Sequence, residues 1–287
     1  MSPNTLHDIA LQTTGDDWNA LAAEYVKISQ QTTIPPIGLM LERANALYPL
    51  SKATAILDNG CGPGPVMERL IKDYGSQIPA DCALTCADFS EGMLAQVQGR
   101  KDRAGSDSPW KKVETKIQNV MDLTDIADES QTHVTAGMVY FMVPDPQKAL
   151  AESLRVLKPD GVLSLSAWEG SEWMDLMNLL PKIRPDKVMP TMPLAWMTTD
   201  GVKAEIEKAG FRDVETHQCP VEMPFQDHET FAEFFISKLP HMRALIKDMS
   251  ENEVAQLRDL MVSGMKKQCP KAPGALKGIA LVGVGRK

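Results

Sequence analysis

The chain has no C-x-x-C pair. Its five cysteines, at 61, 82, 86, 219 and 269, are odd in number and irregularly spaced, which argues against a disulfide framework and for a reducing, cytoplasmic setting. Basic residues are also short: Lys+Arg 30 against Asp+Glu 38 leaves a net charge of -8, without the cationic excess that phosphate contacts demand, so no nucleic-acid partner is expected. The five histidines, at 7, 133, 217, 228 and 241, have no ligand-like spacing, and no metal is expected. No apolar run approaches a membrane span, and Met1 to Asp17 is too polar for a secretory leader, so no membrane partner is expected either. There are no internal repeats and no low-complexity segment of note. What remains is a chain of 287 residues, 43% hydrophobic, enough for an ordinary core and read as one domain with appendages.

The most informative stretch is Ala55-Ile56-Leu57-Asp58-Asn59-Gly60-Cys61-Gly62-Pro63-Gly64. An apolar run ends on Asp58, glycines follow at alternate positions, and Pro65, Val66, Met67, Leu70 and Ile71 then predict a helix whose positive end points back at the loop. A dinucleotide fingerprint would need glycine where Pro65 stands, and a Walker loop would need a Gly-Lys-Ser/Thr that does not follow. The competing reading is a tight turn and nothing more.

Ile56 to Gly64 resembles motif I of the class I S-adenosylmethionine-dependent methyltransferases. Leu84 to Leu94, with Asp88-Phe89-Ser90-Glu91-Gly92-Met93-Leu94, is similar to the second strand of that family and its D-x-S-x-x-M-L segment. Val134 to Asp145 and Ala149 to Gly161 resemble its later strand, helix and turn. The likeness is greatest to the ubiquinone/menaquinone-type small-molecule branch and, within it, to fungal secondary-metabolite methyltransferases, including those that act on thiols. It implies an α/β, Rossmann-like, doubly wound sheet of seven strands with an antiparallel last strand, N-terminal helices, and a helical insertion before that strand. The expected division is a helical lid over 1–50, a core over 51–221 and 278–287, and an insertion or cap over 222–277. The implied cofactor is S-adenosyl-L-methionine, held by Tyr25, Asp58, Gly60, Cys61, Gly62, Asp88, Phe89, Met93, Asn119, Val120, Gly137 and Met138.

The residues say part of this themselves. Asp88 closes a strand on which Cys82, Leu84 and Cys86 alternate, and a carboxylate at that edge can accept both ribose hydroxyls, although Asp88 or Ser90 could equally cap the helix carrying Met93, Leu94 and Val97. Phe89 and Met93 would offer apolar surface to adenine, and the amide oxygen of Asn119 could accept from its amino group. Cys61 is expected to fill space rather than act as a nucleophile.

In chain order, Trp18, Leu21, Ala22, Tyr25 and Val26 form a helical stripe that suits either a docked helix or a lid, and a second helix is expected over 37–48. Further strands are expected over 113–119, 134–140, 162–167, 211–221 and 278–285, with helices from Pro146 and Val202. In 222–277, Phe231, Phe234, Phe235 and Leu239 share one helical face and Val254, Leu257 and Met261 another.

Trp168, Trp173, Met174, Met177, Met189, Met192, Trp196 and Met197 are candidates for an apolar acceptor pocket, each singly better explained as core but together suggestive, since 17 Met against 7 Phe is unusual for a simple core. Trp168, Trp173, Trp196 and His241 are the substrate candidates, and no catalytic residue is assigned. His133, near the start of a strand, reads as a structural histidine. Methyl transfer from a sulfonium needs positioning in a dry cleft and neither metal nor covalent nucleophile. The expected acceptor is a small, partly apolar metabolite, with sulfur ahead of oxygen or nitrogen because no adjacent acid/base pair is present to activate an alcohol. The alternative is a catalytically silent, methyltransferase-like regulatory or scaffolding protein.

Overall fold

The computed structural model describes residues 22–187 and 192–287. Trp18 and Met189 lie outside the described residues.

Alternation along the central strands sorts their side chains onto two faces. The strands β1 (Ala55–Asn59), β2 (Ala83–Asp88), β3 (Val113–Ile117), β4 (Gln131–Gly137), β5 (Leu157–Ser171), β6 (Arg212–Phe225) and β7 (Gly274–Arg286) form one sheet in the order β3-β2-β1-β4-β5-β7-β6. Strands β1 to β5 pair in parallel, and β7 runs antiparallel between β5 and β6. Leu57, Ala87, Val134, Ala136, Leu163 and Leu165 pack with Ala149, Leu150 and Val156 of α4 (Pro146–Val156). Ile56, Leu84, Cys86 and Val113 pack on the other face with Ile37 and Leu41 of α1 (Ala22–Leu47), Val66, Met67 and Leu70 of α2 (Pro65–Tyr74), and Leu94 and Val97 of α3 (Glu91–Arg103). This is a doubly wound α/β sheet. Its order reverses between β1 and β4, where such sheets open a crevice beyond the carboxyl ends of their strands.

Two short helices, α5 (Glu172–Met177) and α6 (Thr199–Lys208), follow β5. Between β6 and β7 lie α7 (His228–Lys238), α8 (Pro240–Ile246) and α9 (Glu251–Gln268), the last opened by a capping box of Ser250 and Glu253. Phe231, Phe235, Leu257, Met261 and Met265 bury these helices in the larger core. Tyr25 falls on α1 and His241 on α8. Among the described residues no helix is long and apolar enough to cross a membrane.

Several boundaries differ from those read in the sequence. Where separate helices are expected around 18–26 and 37–48, the described part is one helix that continues through Pro35 and Pro36. Each proline removes a backbone donor, and burial of Ile37, Met40, Leu41 and Ala44 against the sheet outweighs that loss. β4 stops at Gly137 rather than at Tyr140, because Met138 takes φ 59 and Tyr140 enters a 3-10 turn. β3 stops at Ile117, short of Asn119. β5, β6 and β7 run past their expected ends, since residues 222–225 and 274–277 pair with one another instead of joining the helical insertion, and Trp168, Gly170 and Ser171 pair with Ala280, Ile279 and Gly278.

The irregular connection between β3 and β4 is stapled by one side chain of α4. Arg155 donates to the carbonyls of Leu123 and Ile126, each at 3.0 Å, and to both oxygens of Glu152, at 2.9 and 2.8 Å, while also pairing with Asp128. Glu152 in turn accepts from Leu123 N at 2.8 Å. Only a planar guanidinium can span these acceptors at once. Arg155→Lys, which keeps the charge, is therefore expected to lower stability by about 1–3 kcal/mol. Thermal unfolding checks this, and an unchanged melting temperature would remove Arg155 as the staple.

Candidate functional site

The crevice at the strand reversal is built around the loop after β1. Gly60 N and Cys61 N both donate to the carbonyl of Ala87, at 2.8 and 2.9 Å, which folds the loop over the end of β2. A β-carbon at Gly60 would lie 2.8 Å from both methyls of Val139, so this position is closed to any side chain. Gly62 differs. It has φ 53, and a β-carbon there would meet nothing within 4 Å. The loop thus presents bare backbone to open space, a cradle that a side chain would fill. Gly64 caps α2 and Pro65 takes its first turn, as the sequence predicts.

Two carboxylates border this ground. Asp88 is 6% exposed; Oδ2 accepts from Gly62 N at 2.8 Å and Oδ1 from Ser90 N at 2.9 Å. Ser90 caps α3 through Met93 N, so capping and the site fall to different residues. Burial raises the pKa of Asp88, and the amides of Ser90 and Gly62 oppose the rise. Each of its oxygens keeps acceptor capacity for a hydroxyl donor. Asp58 is 1% exposed; Thr135 Oγ1 donates to its Oδ1 at 2.9 Å, whereas Oδ2 has no hydrogen-bond partner. Desolvation pushes its pKa up to about 7; the Thr135 bond lowers it, the charge of Asp88 raises it, and the Met67 amide, near the carboxylate but outside hydrogen-bond geometry to Oδ2, lowers it slightly. An orphaned acidic oxygen this deeply buried fits a ligand that brings a cationic or hydrogen-donating group.

The remaining candidates divide by position. Phe89 is 45% exposed and Ile117, opposite Asp88 across the β2–β3 pair, is 57% exposed. With the buried Met93 and Val120 they could offer apolar contact to a flat ring. The sequence does not single out Ile117, because an apolar residue ending a strand looks like any other. Asn119 is exposed, and its Oδ1 already accepts from Met121 N at 2.9 Å, closing a local turn and leaving one lone pair for a ligand. Gly137 ends β4, and Met138, 7% exposed, donates from its backbone to Ser166 Oγ at 3.1 Å. Cys61 is buried, its thiol directed to the Gly62 carbonyl at 3.3 Å and its pKa driven well above the usual value by desolvation, which makes it a space-filler and not a thiolate.

Of the tryptophans, Trp168 is half-buried at the end of β5 and meets Trp173 edge-on, ring centroids 5.3 Å apart. Trp173 and Trp196 are 4% and 1% exposed and belong to the core, so of these three candidates Trp168 alone offers accessible indole surface. The histidines with described side chains are engaged elsewhere. His133 sits at the opening of β4, the end of the sheet away from the loop; Nε2 meets the carbonyl of Tyr48 at 2.9 Å and burial lowers its pKa to about 4. His228 Nε2 meets the Cys269 carbonyl at 2.8 Å. Among the described residues no group of three His, Cys, Asp or Glu could hold a metal ion.

The methyltransferase domain family matches residues 57–165. Methyltransferase ucsB of Acremonium sp is 40% identical over 273 residues, covering 94% of this chain and 94% of that protein. Acetylaranotin bis-thiomethyltransferase of Aspergillus terreus is 25% identical over 193 residues, 64% of each chain. Among solved structures, the phosphoethanolamine N-methyltransferase 2 of Haemonchus contortus, in complex with phosphomonomethylethanolamine and S-adenosylhomocysteine, superposes with a TM-score of 0.53 at 17% identity, over 99% of this chain and 60% of that one.

The buried Asp58 carries a stability cost with a definite sign. Its pKa in the folded protein, about 7, lies above its ordinary 3.8, so the folded state favours the protonated acid; that advantage is full below 3.8 and is lost as pH rises through 7. Asp58→Asn is expected to unfold at a higher temperature than wild type at pH 8, by a stability gain on the order of a few kcal/mol, with the gain shrinking as pH falls toward 4. Melting curves across this range test it, and a pH-independent difference would contradict it.

Proposed function

We propose that this chain, which belongs to the S-adenosyl-L-methionine-dependent methyltransferases, methylates a small, partly apolar metabolite, with thiol sulfur favoured over oxygen and nitrogen. The observation that carries this reading is the pair of buried carboxylates, Asp58 and Asp88, flanking the bare backbone of Gly62. When bound, S-adenosyl-L-methionine supplies a methyl group on a cationic sulfonium for in-line displacement. Asp88 would take the ribose hydroxyls on its remaining lone pairs, while the free Oδ2 of Asp58 would receive a cationic or amino group of the cofactor. Phe89, Ile117, Met93 and Val120 would flank the adenine, with Asn119 beside it. Gly60 and Cys61 would shape the loop behind the cofactor, and Gly137, Met138 and Tyr25 would complete its surround.

On the acceptor side, Trp168 is the proposed contact, backed by Trp173, with Trp196 in the core beneath and His241 of α8 a further candidate. The preference for sulfur rests on two supports. The thiol at position 61 is protonated and buried, and His133 and His228 are tied to backbone carbonyls, so a nucleophile that ionises near neutral pH by itself suits this site better than an alcohol that needs a base. The likeness to a bis-thiomethyltransferase adds weight. The work of the protein is then to hold the acceptor in line and keep water out.

Calorimetry with S-adenosyl-L-methionine, followed by mass spectrometry against a panel of thiol, phenol and amine acceptors, tests both halves. Asp88→Ala is expected to weaken cofactor binding by about 1.5–3 kcal/mol, the size of lost charge-assisted hydrogen bonds. Unchanged affinity would remove Asp88 from the site. Thiol methylation is expected, with kcat/KM rising through the ionisation of the acceptor thiol and with His228→Gln and His241→Gln keeping most activity. Activity confined to phenols or amines would refute the sulfur preference.

A further inference from the structure

A polar chain runs through the core on the face of β1 opposite Asp58, and neither the cofactor contacts nor the acceptor site uses it. Asn59, 0% exposed, donates from Nδ2 to the hydroxyl of Tyr140 at 2.9 Å. The Tyr140 hydroxyl bonds Ser153 Oγ on α4, and Ser153 Oγ donates to the Ala149 carbonyl at 3.0 Å. Because the Ser153 proton goes to that carbonyl, the phenol must donate to Ser153 and accept from the amide, so all the protons point one way. Burial pushes the Tyr140 pKa up to about 12, so the phenol keeps the proton it donates. At the head of the chain, Asn59 Oδ1 is buried with no partner.

At Tyr140 the chain passes through a turn that is both strained and in contact with the glycine loop. Met138 holds φ 59, a left-handed conformation unfavourable for a side chain of its size, and is fixed by its amide bond to Ser166 of β5 at 3.1 Å. Val139 fills the space that a β-carbon on Gly60 would need, 2.8 Å from either methyl. Tyr140 reaches back to Asn59, the residue between Asp58 and Gly60. Three consecutive residues therefore lock the turn to β5, to the loop and to the residue that starts the loop. An apolar pair of the same shape would pack here without burying an amide oxygen unsatisfied, so the polar pair costs stability and specifies geometry.

We propose that Asn59 and Tyr140 are a positioning pair that holds the Met138–Tyr140 turn against the glycine loop and so sets cofactor affinity. The proposal rests on the cofactor reading of this crevice. It requires stability and affinity to separate in a double variant, which a merely structural role would not produce. Tyr140→Phe strands the Asn59 amide and is expected to lower the melting temperature and to raise the Kd for S-adenosyl-L-methionine about fivefold to tenfold, the size of one neutral hydrogen bond. Adding Asn59→Leu removes the stranded amide. The double variant is expected to recover the wild-type melting temperature or exceed it while keeping the raised Kd. Calorimetry and thermal unfolding of wild type, Tyr140→Phe and the double variant read both quantities. A folded double variant, or a folded Tyr140→Phe alone, with wild-type Kd would overturn the positioning role and leave the cofactor reading standing. A wild-type protein that does not bind S-adenosyl-L-methionine would overturn both.

Discussion

Two neighbouring amides, those of Gly60 and Cys61, converge on the single carbonyl of Ala87, and the rest of the crevice depends on that closure. It bends the chain back over β2 within a few residues of leaving β1, which brings Gly62 N to Asp88 Oδ2 and sets the Gly60 backbone against Val139. The end of β1 is thereby joined to the ends of β2 and β4, the strands on either side of it. A side chain at Gly60 would break the contact with Val139; one at Gly62 would leave the loop closed but obstruct the ground in front of it.

The same closure concentrates polar groups where a core would normally exclude them. Asp58, Asn59 and Asp88 are each at most 6% exposed, yet one oxygen of Asp58 and one of Asn59 have no partner. Burying such groups costs free energy that the apolar cores on both faces of the sheet must offset. Buried acids that reduce stability beside one open place are characteristic of a site shaped for a ligand, and here Asp58 and Asp88 flank the loop while Asn59 turns to the opposite face of β1. His133 shows the contrasting case: equally buried, it has both ring nitrogens within bonding distance of partners and lies at the far end of the sheet.

β5, β6 and β7 extend beyond the central strands, β5 leading into α5 and the extended ends of β6 and β7 enclosing α7 to α9. Gly278 at this extension meets Trp173, and Trp173 in turn supports Trp168, so packing around the antiparallel strand bears directly on the half-buried indole of Trp168. That arrangement links the segment between β6 and β7 to the proposed acceptor side, whereas the proposed cofactor side lies at the carboxyl ends of β1 to β4.

The glycine loop, the acid closing β2 and the serine that caps α3 were legible in the sequence as local patterns of alternation, capping offset and glycine spacing, whereas the doubly wound order was implied by the family resemblance. The lengths of β5, β6 and β7 were not, since a strand with another to pair with continues through residues whose own preferences are weak. Nor was the unbroken course of α1 through Pro35 and Pro36, which burial decides against propensity. At the site, Asp58 could be named from its motif, but its orphaned oxygen and raised pKa depend on Thr135 and Asp88, distant in sequence. The sorting of Trp168 from Trp173 and Trp196, and the bond from Asn59 to Tyr140, belong wholly to the tertiary structure. Sequence patterning records what a residue does with neighbours a turn or a strand away, and burial and partnership are set by segments that meet only when the sheet is complete.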